Sequence, residues 1–369
     1  MSESVYRKYM RRAIALARKG VGTTSPNPAV GCVIVRGGKI VGEGWHRQAG
    51  TPHAEVHALR AAGAAARDAD VYVTLEPCCH TGKTPPCTDA LIEAGVARVI
   101  AGMGDPNPLV AGNGLKRLEQ AGIPTICGVL EEECAALNRP FIKQITTGRP
   151  YVIYKCAMTV DGKIAALTGE SRWISCDESR KLVHRMRSRC DAVMVGIDTI
   201  IADNPQLTVR HVRGRDPLRV IVDSRLRTPE SATVLGGDMA RSTIIATTES
   251  NPRIHQRYTR LGATVIVCRQ QEGRVCMDDL LVQLGRKGIQ SILLEGGSRL
   301  AGDMLVRGLI DEFVFFVAPK IIGSDGFSPF TLVGLTGMEQ AVRLSFTKFA
   351  RSGSDIVIHA VPESPCSPA

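Results

Sequence analysis

One histidine, one glutamate and two cysteines in the first quarter of the chain are the side chains that a hydrolytic zinc site requires. Glu55 follows His53 by two residues, and Cys78, directly after Pro77, is followed by Cys87. Catalytic zinc binds three protein ligands and keeps a fourth position for water. We therefore predict that His53, Cys78 and Cys87 bind zinc and that Glu55, left uncoordinated, transfers protons as a general base and then a general acid.

This pattern matches that of zinc-dependent deaminases except in one spacing. Those enzymes combine H-x-E with P-C-x-x-C, whereas eight residues separate Cys78 from Cys87 here. The predicted reaction is hydrolysis at an amidine-like carbon of a nucleobase or a similar ring. A zinc-protease motif, H-E-x-x-H, needs its glutamate directly after the first histidine, so HAEVH with His57 fits it poorly. Cys79 and His80 remain competing ligands at the position of Cys78.

Composition limits the classes of protein and partner. The chain has 369 residues, 44% of them hydrophobic, which favours two globular domains without a membrane-spanning run. Twelve scattered cysteines and no secretory signal pattern predict a cytoplasmic protein. The net charge of +10 is compatible with nucleic acid or with anionic metabolites. Aromatic residues make up only 4% of the chain, and no basic stripe carries them, so we predict phosphorylated small molecules and no nucleic acid.

Two α/β domains follow from the order of the predicted elements. A β-hairpin over 29–35 and 40–45 precedes alternating helices and strands up to a helix over 131–142, which predicts a three-layer α/β/α domain. The pattern starts again near 146–150, where we place the boundary between domains 1–147 and 148–369. Apolar runs from 151–158 to 312–317 predict a second, larger α/β domain.

Several polar residues lie in loops beyond predicted strands, where α/β proteins bind ligands. In the first domain these are Asn27, His46, Lys83, Asp105 and Asn107. Asn and Asp beside Pro also form ordinary turns, and both interpretations stay open. In the second domain, Glu295-Gly296-Gly297-Ser298 lies between a strand and a helix, where backbone amides can bind an anion. Arg187 and Arg210 are candidates for a substrate phosphate.

Longer motifs along nearly the whole chain closely resemble the bifunctional riboflavin-biosynthesis deaminase/reductase family. The first half carries PHAEVHAL at 52–59, TLEPCCHTGKTPPC at 74–87 and DPNP at 105–108. The second half carries KCAMTVDGKIA at 155–165, GESRWIS at 169–175, ADNPQLTVR at 202–210 and LLEGGSRLAG at 293–302. The wide cysteine spacing is itself a feature of this family.

The resemblance implies a cytidine-deaminase-like domain followed by a dihydrofolate-reductase-like domain, with homo-oligomers common in the family. The first domain would remove the 2-amino group of 2,5-diamino-6-ribosylamino-4(3H)-pyrimidinone 5′-phosphate by zinc-dependent hydrolysis. The second would reduce the ribosyl chain of 5-amino-6-(5-phosphoribosylamino)uracil to the ribityl form with NADPH. The main alternative is a zinc nucleoside or tRNA deaminase with an accessory domain. A zinc-stabilised binding module would need neither Glu55 nor an open coordination position.

Site residues are carried over by position. The resemblance implies that the deaminase substrate contacts Asn27, His46, Lys83, Asp105 and Asn107. It implies NADPH contacts at Ala157, Trp173, Thr199, Asp203, Ser224, Gly297, Ser298, Arg299, Leu300, Ala301, Gly302 and Asp303. It implies reductase substrate contacts at Ser171, Arg187, Leu207, Arg210 and Glu295. We add the hypothesis that Lys155 assists ring opening or proton delivery in the reductase.

Overall fold

The computed structural model describes residues 3–80, 85–107, 111–332 and 336–363. The chain divides into two compact units, Met1–Arg149 and Pro150–Ala369. Each unit has its own sheet and its own hydrophobic clusters.

The first unit is built on one sheet. Its described strands are β1 Gly31–Arg36, β2 Lys39–Trp45, β3 Asp70–Val73, β4 Arg98–Ala101 and β5 Thr125–Ile126. Its described helices are α1 Glu3–Ala17, α2 Ala54–Ala62, α3 Cys87–Ala94, α4 Asn113–Gln120, α5 Glu131–Leu137 and α6 Arg139–Thr147, with a 3₁₀ turn at Gly63–Ala66. The strand order is β2-β1-β3-β4-β5. β1 is antiparallel to both of its neighbours, and β3, β4 and β5 run parallel.

Alternating side chains of β1 supply a core on each face of this sheet. Cys32 and Ile34 pack in one cluster with residues of α2, α3 and α4. Val33 and Val35 pack in the other cluster with residues of α1 and α5. Because successive strand residues point to opposite faces, an almost wholly buried strand requires helices on both sides. The predicted three-layer arrangement is confirmed.

Glycines in β2 bring α2, the helix that begins after His53, close to the sheet. A Cβ atom on Gly44 would lie 2.3 Å from the carbonyl oxygen of Ala54, and one on Gly42 would lie 2.3 Å from that of Ala58. Glycine within a strand commonly marks such a close backbone approach. β2 therefore fixes the position of the helix that carries Glu55.

The predicted hairpin over 29–45 is confirmed, but the predicted single helix over 131–142 is wrong. The chain forms α5 and α6, separated at Asn138. The buried Asn138 side chain accepts a hydrogen bond from the Ala29 amide at 2.9 Å and donates one to the Ala29 carbonyl at 3.1 Å. This long-range pairing with the segment before β1 holds Asn138 at the break.

The second unit contains a larger sheet. Its strands are β6 Tyr151–Thr159, β7 Ala192–Gly196, β8 Leu218–Val222, β9 Thr243–Thr247, β10 Thr264–Val267, β13 Ser291–Leu294, β14 Glu312–Ala318, β15 Leu344–Ser352 and β16 Asp355–Pro362. The strand order is β10-β9-β8-β7-β13-β6-β14-β16-β15. A separate hairpin consists of β11 Gln270–Gln271 and β12 Arg274–Val275. The described helices are α7 Asp177–Arg189, α8 Ile197–Asp203, α9 Pro252–Thr259, α10 Met277–Arg286 and α11 Ser298–Val306. Strands from β10 to β14 pair in parallel, and β16 and β15 complete the sheet in antiparallel pairing.

The sequence prediction does not include four features of this unit, namely the β11–β12 and β15–β16 hairpins and the helices α8 and α9. The β15–β16 hairpin gives a weak signal because β15 is an edge strand whose residues are mostly exposed, so it lacks an apolar pattern. α8 has only seven residues, too few to give a clear helical period in the sequence. α9 carries a usable signal, since Asn251 caps its first turn and Pro252 occupies the first helical position.

Candidate functional site

The structure brings the three predicted zinc ligands of the first unit together. The Nδ1 atom of His53 lies 3.2 Å from the Cys87 Sγ atom and 3.6 Å from the Cys78 Sγ atom. These three ligand atoms lie within 4.8 Å of one another, and theirs is the one candidate metal cluster among the residues that the structure describes. His57, Cys79 and His80 do not belong to it. His53 directly precedes α2, and Cys87 opens α3.

Hydrogen bonding between the two thiols favours one thiolate in this cluster. The interaction lowers the pKa of Cys78 and raises that of Cys87, and the neighbouring His53 also lowers the pKa of Cys78. The Cys87 backbone amide lies 3.4 Å from the Cys78 Sγ atom, where it can donate to it. Deprotonated sulfur beside an imidazole is the ligand state that a zinc ion needs.

Glu55 is buried next to the cluster, with only 3% of its surface exposed. Burial raises the pKa of its carboxyl group, while the nearby His53 lowers it. Its Oε2 atom has no hydrogen-bond partner among the described residues. A buried carboxylate oxygen without a partner is costly, and a metal-bound water accounts for such an arrangement. The donor set and this orphaned oxygen therefore fit a catalytic zinc site.

His46 lies beside His53, and Asn27 contacts His46. The His46 Nε2 atom lies 3.1 Å from the Asn27 amide nitrogen, and its Nδ1 atom lies 3.2 Å from the Pro52 carbonyl oxygen. A proton on Nδ1 satisfies both contacts, because Nε2 then accepts from Asn27. The His46 and His53 rings meet edge to face at 5.2 Å. His46 therefore lies beside a predicted zinc ligand, and Asn27 is joined to His46 by a hydrogen bond.

Asp105 and Asn107 lie in one loop, where the Asn107 amide donates to the Asp105 carboxylate at 2.9 Å. Burial raises the pKa of Asp105, and the charges that act on this carboxyl group include those of Cys78 and His80. The loop is thus near the cysteine segment. Lys83, the remaining predicted contact, lies outside the described residues.

Glu76, which the sequence marks only as a structural residue, connects three segments around the site. Its buried carboxylate accepts hydrogen bonds of 2.9–3.2 Å from the backbone amides of Asp105, Gly112, Gly114 and Leu115. A Cβ atom on Gly114 would lie 2.0 Å from the Pro77 carbonyl oxygen. Glu76 therefore ties the loop of Asp105 and the start of α4 to the segment that leads into Cys78.

In the second unit, Lys155, Arg187 and Glu295 meet in a buried ion cluster. The Arg187 guanidinium holds the Glu295 carboxylate through two contacts of 2.6 and 3.0 Å, and the Lys155 ammonium lies 3.6 Å from it. Burial raises the pKa of Glu295, but Arg187 and Lys155 outweigh it and lower the pKa to about 2. Glu295 is therefore an anion flanked by two cations at neutral pH.

The segment 206–210 lies against this cluster. Arg187 also donates to the Thr208 carbonyl at 3.0 Å, and the Arg210 side chain bonds Gln206 and Thr208. The Arg210 backbone amide donates to the ring of His184, one turn before Arg187 in α7. Leu207 is buried with a φ of 55°. Ser171 lies in a different loop, and none of its described contacts joins it to this group.

The predicted cofactor residues divide into two sets. Ser224, Arg299, Leu300 and Asp303 line a cavity of about 550 Å³ in the second unit. The described lining does not include the other predicted contacts, which are Ala157, Trp173, Thr199, Asp203, Gly297, Ser298, Ala301 and Gly302. Gly296 has a φ of 154°, and a Cβ atom there would come within 3.0 Å of the Thr199 hydroxyl oxygen. This glycine thus lets the end of β13 approach α8. Trp173 is 62% exposed, and the Arg180 guanidinium lies 4.4 Å from its ring centroid.

Two family models match the chain in consecutive segments. Residues 3–103 match the cytidine and deoxycytidylate deaminase zinc-binding region, and residues 150–358 match the RibD C-terminal domain. The riboflavin biosynthesis protein RibD of Actinobacillus pleuropneumoniae is 45% identical over 97% of this chain and 95% of its own length.

Solved structures give the same result. The structure of Acinetobacter baumannii RibD superposes with a TM-score of 0.89 at 38% identity and covers 98% of this chain and 100% of its own. A diaminohydroxyphosphoribosylaminopyrimidine deaminase/5-amino-6-(5-phosphoribosylamino)uracil reductase from Thermotoga maritima superposes with a TM-score of 0.85 at 37% identity, over 98% of this chain and 99% of its own. The predicted fold class, a deaminase-like α/β domain followed by a second α/β domain, is confirmed. Among the described residues, no helix is both long and apolar enough to cross a membrane.

Proposed function

The chain belongs to the RibD family of bifunctional riboflavin-biosynthesis deaminase/reductases, and from this membership we propose a division of labour between its two units. Residues 1–147 deaminate 2,5-diamino-6-ribosylamino-4(3H)-pyrimidinone 5′-phosphate with zinc. Residues 148–369 reduce the deaminated product, 5-amino-6-(5-phosphoribosylamino)uracil, with NADPH. The resemblance also leads us to propose a cytoplasmic homo-oligomer.

The convergence of His53, Cys78 and Cys87 beside the buried Glu55 carries the proposal. Zinc, when bound by these three ligands, lowers the pKa of its water toward about 7. Glu55, whose buried Oε2 atom has no partner among the described residues, would accept a proton from the attacking water and deliver it to the departing amino group, which would leave as ammonia. Its raised pKa suits a group that must hold the proton between the two transfers.

The neighbouring polar residues are proposed to hold the pyrimidine. Asn27, His46, Asp105 and Asn107 offer amide, imidazole and carboxylate groups around the cluster, and Lys83 is proposed to contact the same substrate. By holding the ring, these residues would orient the reacting carbon relative to Glu55, and such orientation lowers the barrier of a reaction.

For the reductase, we propose that the buried ion cluster receives the ribosyl end of the substrate. Ser171, Arg187, Leu207, Arg210 and Glu295 form the proposed substrate contacts. Opening of the ribosylamine to an imine would make C1′ electrophilic. We propose that Lys155, whose ammonium lies 3.6 Å from the Glu295 carboxylate, assists ring opening or proton delivery. NADPH supplies the hydride, and the protein contributes orientation and charge.

The glycine-rich end of β13 and the adjacent cavity fit the cofactor. The space around Gly297 is open, and the backbone amides at the start of α11 can donate hydrogen bonds to an anionic group there. Ala157, Trp173, Thr199, Asp203, Ser224 and residues 297–303 form the proposed cofactor contacts.

Purified full-length protein tests the proposal directly. It is expected to release ammonia from the diaminopyrimidine ribotide and, in the same mixture, to oxidise NADPH. Protein that retains one zinc ion per chain but does neither contradicts the proposed function. Release of ammonia only from cytidine or tRNA would support the nucleoside or tRNA deaminase alternative instead.

A further inference from the structure

The cavity of about 550 Å³ in the second unit carries a cationic rim, and the proposed function uses only Arg299 of its arginines. Four arginines line it: Arg225, Arg227, Arg274 and Arg299. Three carboxylates, of Asp198, Glu272 and Asp303, also line it. The distribution of ion pairs among these groups determines which arginines can bind an anion.

Two of the four arginines already have a carboxylate partner. Asp198 pairs with Arg227 at 2.8 Å and with Arg299 at 3.9 Å. Arg225 and Arg274 are exposed, and among the described residues their guanidinium groups have no hydrogen-bond or ion-pair partner. These two side chains are therefore available to a ligand.

Buried contacts fix the loop that carries Arg225. The carboxylate of Asp223 accepts hydrogen bonds from the backbone amide and the hydroxyl of Thr228, both at 2.7 Å. Leu226 is buried, and the hydroxyl of Tyr258 donates to its carbonyl at 2.9 Å. Arg225 thus projects from a constrained loop, which lowers the entropic cost of ligand binding.

The same loop anchors the β11–β12 hairpin that carries Arg274. The Val275 amide donates to the Ser224 hydroxyl oxygen at 3.0 Å. Because Ser224 and Val275 are the chain neighbours of Arg225 and Arg274, this hydrogen bond connects the two segments that carry these cavity-lining arginines.

We infer that Arg225 and Arg274 bind a phosphate monoester, namely the 2′-phosphate that distinguishes NADPH from NADH. This inference rests on the proposed reductase function. Guanidinium groups recognise phosphate through paired, charge-assisted hydrogen bonds. Proposed cofactor contacts Ser224, Arg299, Leu300 and Asp303 line the same cavity, whereas the substrate candidates Arg187 and Arg210 do not. Ser224 positions the hairpin through its oxygen and still has its hydroxyl proton to donate to the cofactor.

Calorimetric binding of NADPH and NADH to full-length Arg225→Gln and Arg274→Gln variants tests the inference. Each variant is expected to bind NADPH about tenfold or more weakly, because it loses a hydrogen bond between charged groups, and to bind NADH within about twofold of the parent protein. Arg253→Ala, which removes an exposed arginine of α9 outside the cavity, serves as the matched control. The unchanged NADH affinity reports that each variant is folded.

Three results overturn the inference: unchanged NADPH affinity, an equal loss for both cofactors, or a loss seen only as a higher KM for the pyrimidine ribotide. The last would assign the arginines to the substrate phosphate. If the parent protein discriminates between the cofactors but reduces no ribotide, the proposed function fails and the phosphate site stands. If it reduces the ribotide with NADPH while the variants bind NADPH normally, the phosphate site fails and the function stands.

Discussion

The two units place their reactive groups in opposite ways. In the first unit, His53, Glu55, Cys78 and Cys87 span 35 residues of sequence and come together where α2 and α3 begin. In the second, Lys155, Arg187 and Glu295 come from three distant elements, and the two cations already pair with the one carboxylate. A metal site needs ligands without competing partners, whereas a site for phosphorylated substrates can use cations that a buried carboxylate holds in place. The first site is therefore defined by local sequence and the second by tertiary pairing.

The largest effect is expected from Cys87→Ser, because it removes a ligand from the locally encoded site. A zinc ion contributes several kcal/mol of transition-state stabilisation, so the deaminase rate is expected to fall at least about a thousandfold. Zinc content by mass spectrometry and ammonia release measure this, with the exposed Cys127→Ser as control. The reductase rate is expected to stay unchanged, and retention of zinc with full deamination would show that Cys87 is not a ligand.

Arg187→Ala tests the pairing on which the second site depends. It leaves Glu295 buried with Lys155 as its remaining cation, and breaking a buried ion pair destabilises a protein by about 3–5 kcal/mol. Hydrogen exchange of peptides from α7 and β13 measures the loss, and Arg189→Ala on the same helix is the exposed control. If the two variants protect these peptides equally from hydrogen exchange, the ion pair between Arg187 and Glu295 does not stabilise this unit.

Glu76→Gln asks whether the first site also depends on a long-range contact. Four backbone amides donate to the two carboxylate oxygens of Glu76. Glutamine replaces one of these oxygens with an NH₂ group, which cannot accept hydrogen bonds from the amides that face it, so part of the network is lost. We expect a loss of about 1.5–3 kcal/mol in the stability of the first unit and a higher KM for the diaminopyrimidine. Urea unfolding and deaminase kinetics measure both, with Glu132→Gln on the surface of α5 as control. If Glu76→Gln changes neither the stability nor the KM, the hydrogen bonds of Glu76 do not support the first site.

The smallest expected effect is a pH dependence of the second unit. Burial and the charge of Arg187 lower the pKa of His184 from 6.5 to about 4, and its neutral ring accepts a hydrogen bond from the Arg210 amide. The unfolded chain therefore takes up the proton first as the pH falls, and stability present above 6.5 is lost progressively toward about 4. Unfolding free energies at about pH 7 and pH 5 are expected to differ less in His184→Gln than in the parent protein. An equal difference would assign the pH dependence to other groups.

The amino-acid sequence alone is sufficient to predict that His53, Cys78 and Cys87 lie together, and to predict most of the sheet strands. His53 and Glu55 are two residues apart, and the chemistry of these residue types together with Pro77-Cys78 indicates a shared function. Apolar runs likewise predict the strands that are buried on both faces, such as β7 and β9.

Features that depend on distant parts of the chain cannot be predicted in this way. The donors around Glu76 lie up to 39 residues away, and Arg187 meets Glu295 across 108 residues. The role of Gly42 and Gly44 emerges only when α2 lies against β2. Arg225 and Arg274 have no local pattern that marks them, because their significance depends on a cavity and on which other arginines are already paired.

Glu55→Gln tests the central claim most directly, because it removes the proposed proton carrier without removing a zinc ligand. We expect one zinc ion per chain, an unchanged NADPH-dependent reductase rate, and a deaminase rate lowered by about 10²–10⁴-fold. A variant that still releases ammonia at the parent rate would contradict the account of the first site. Loss of both activities with zinc retained would contradict the assignment of the two reactions to separate units.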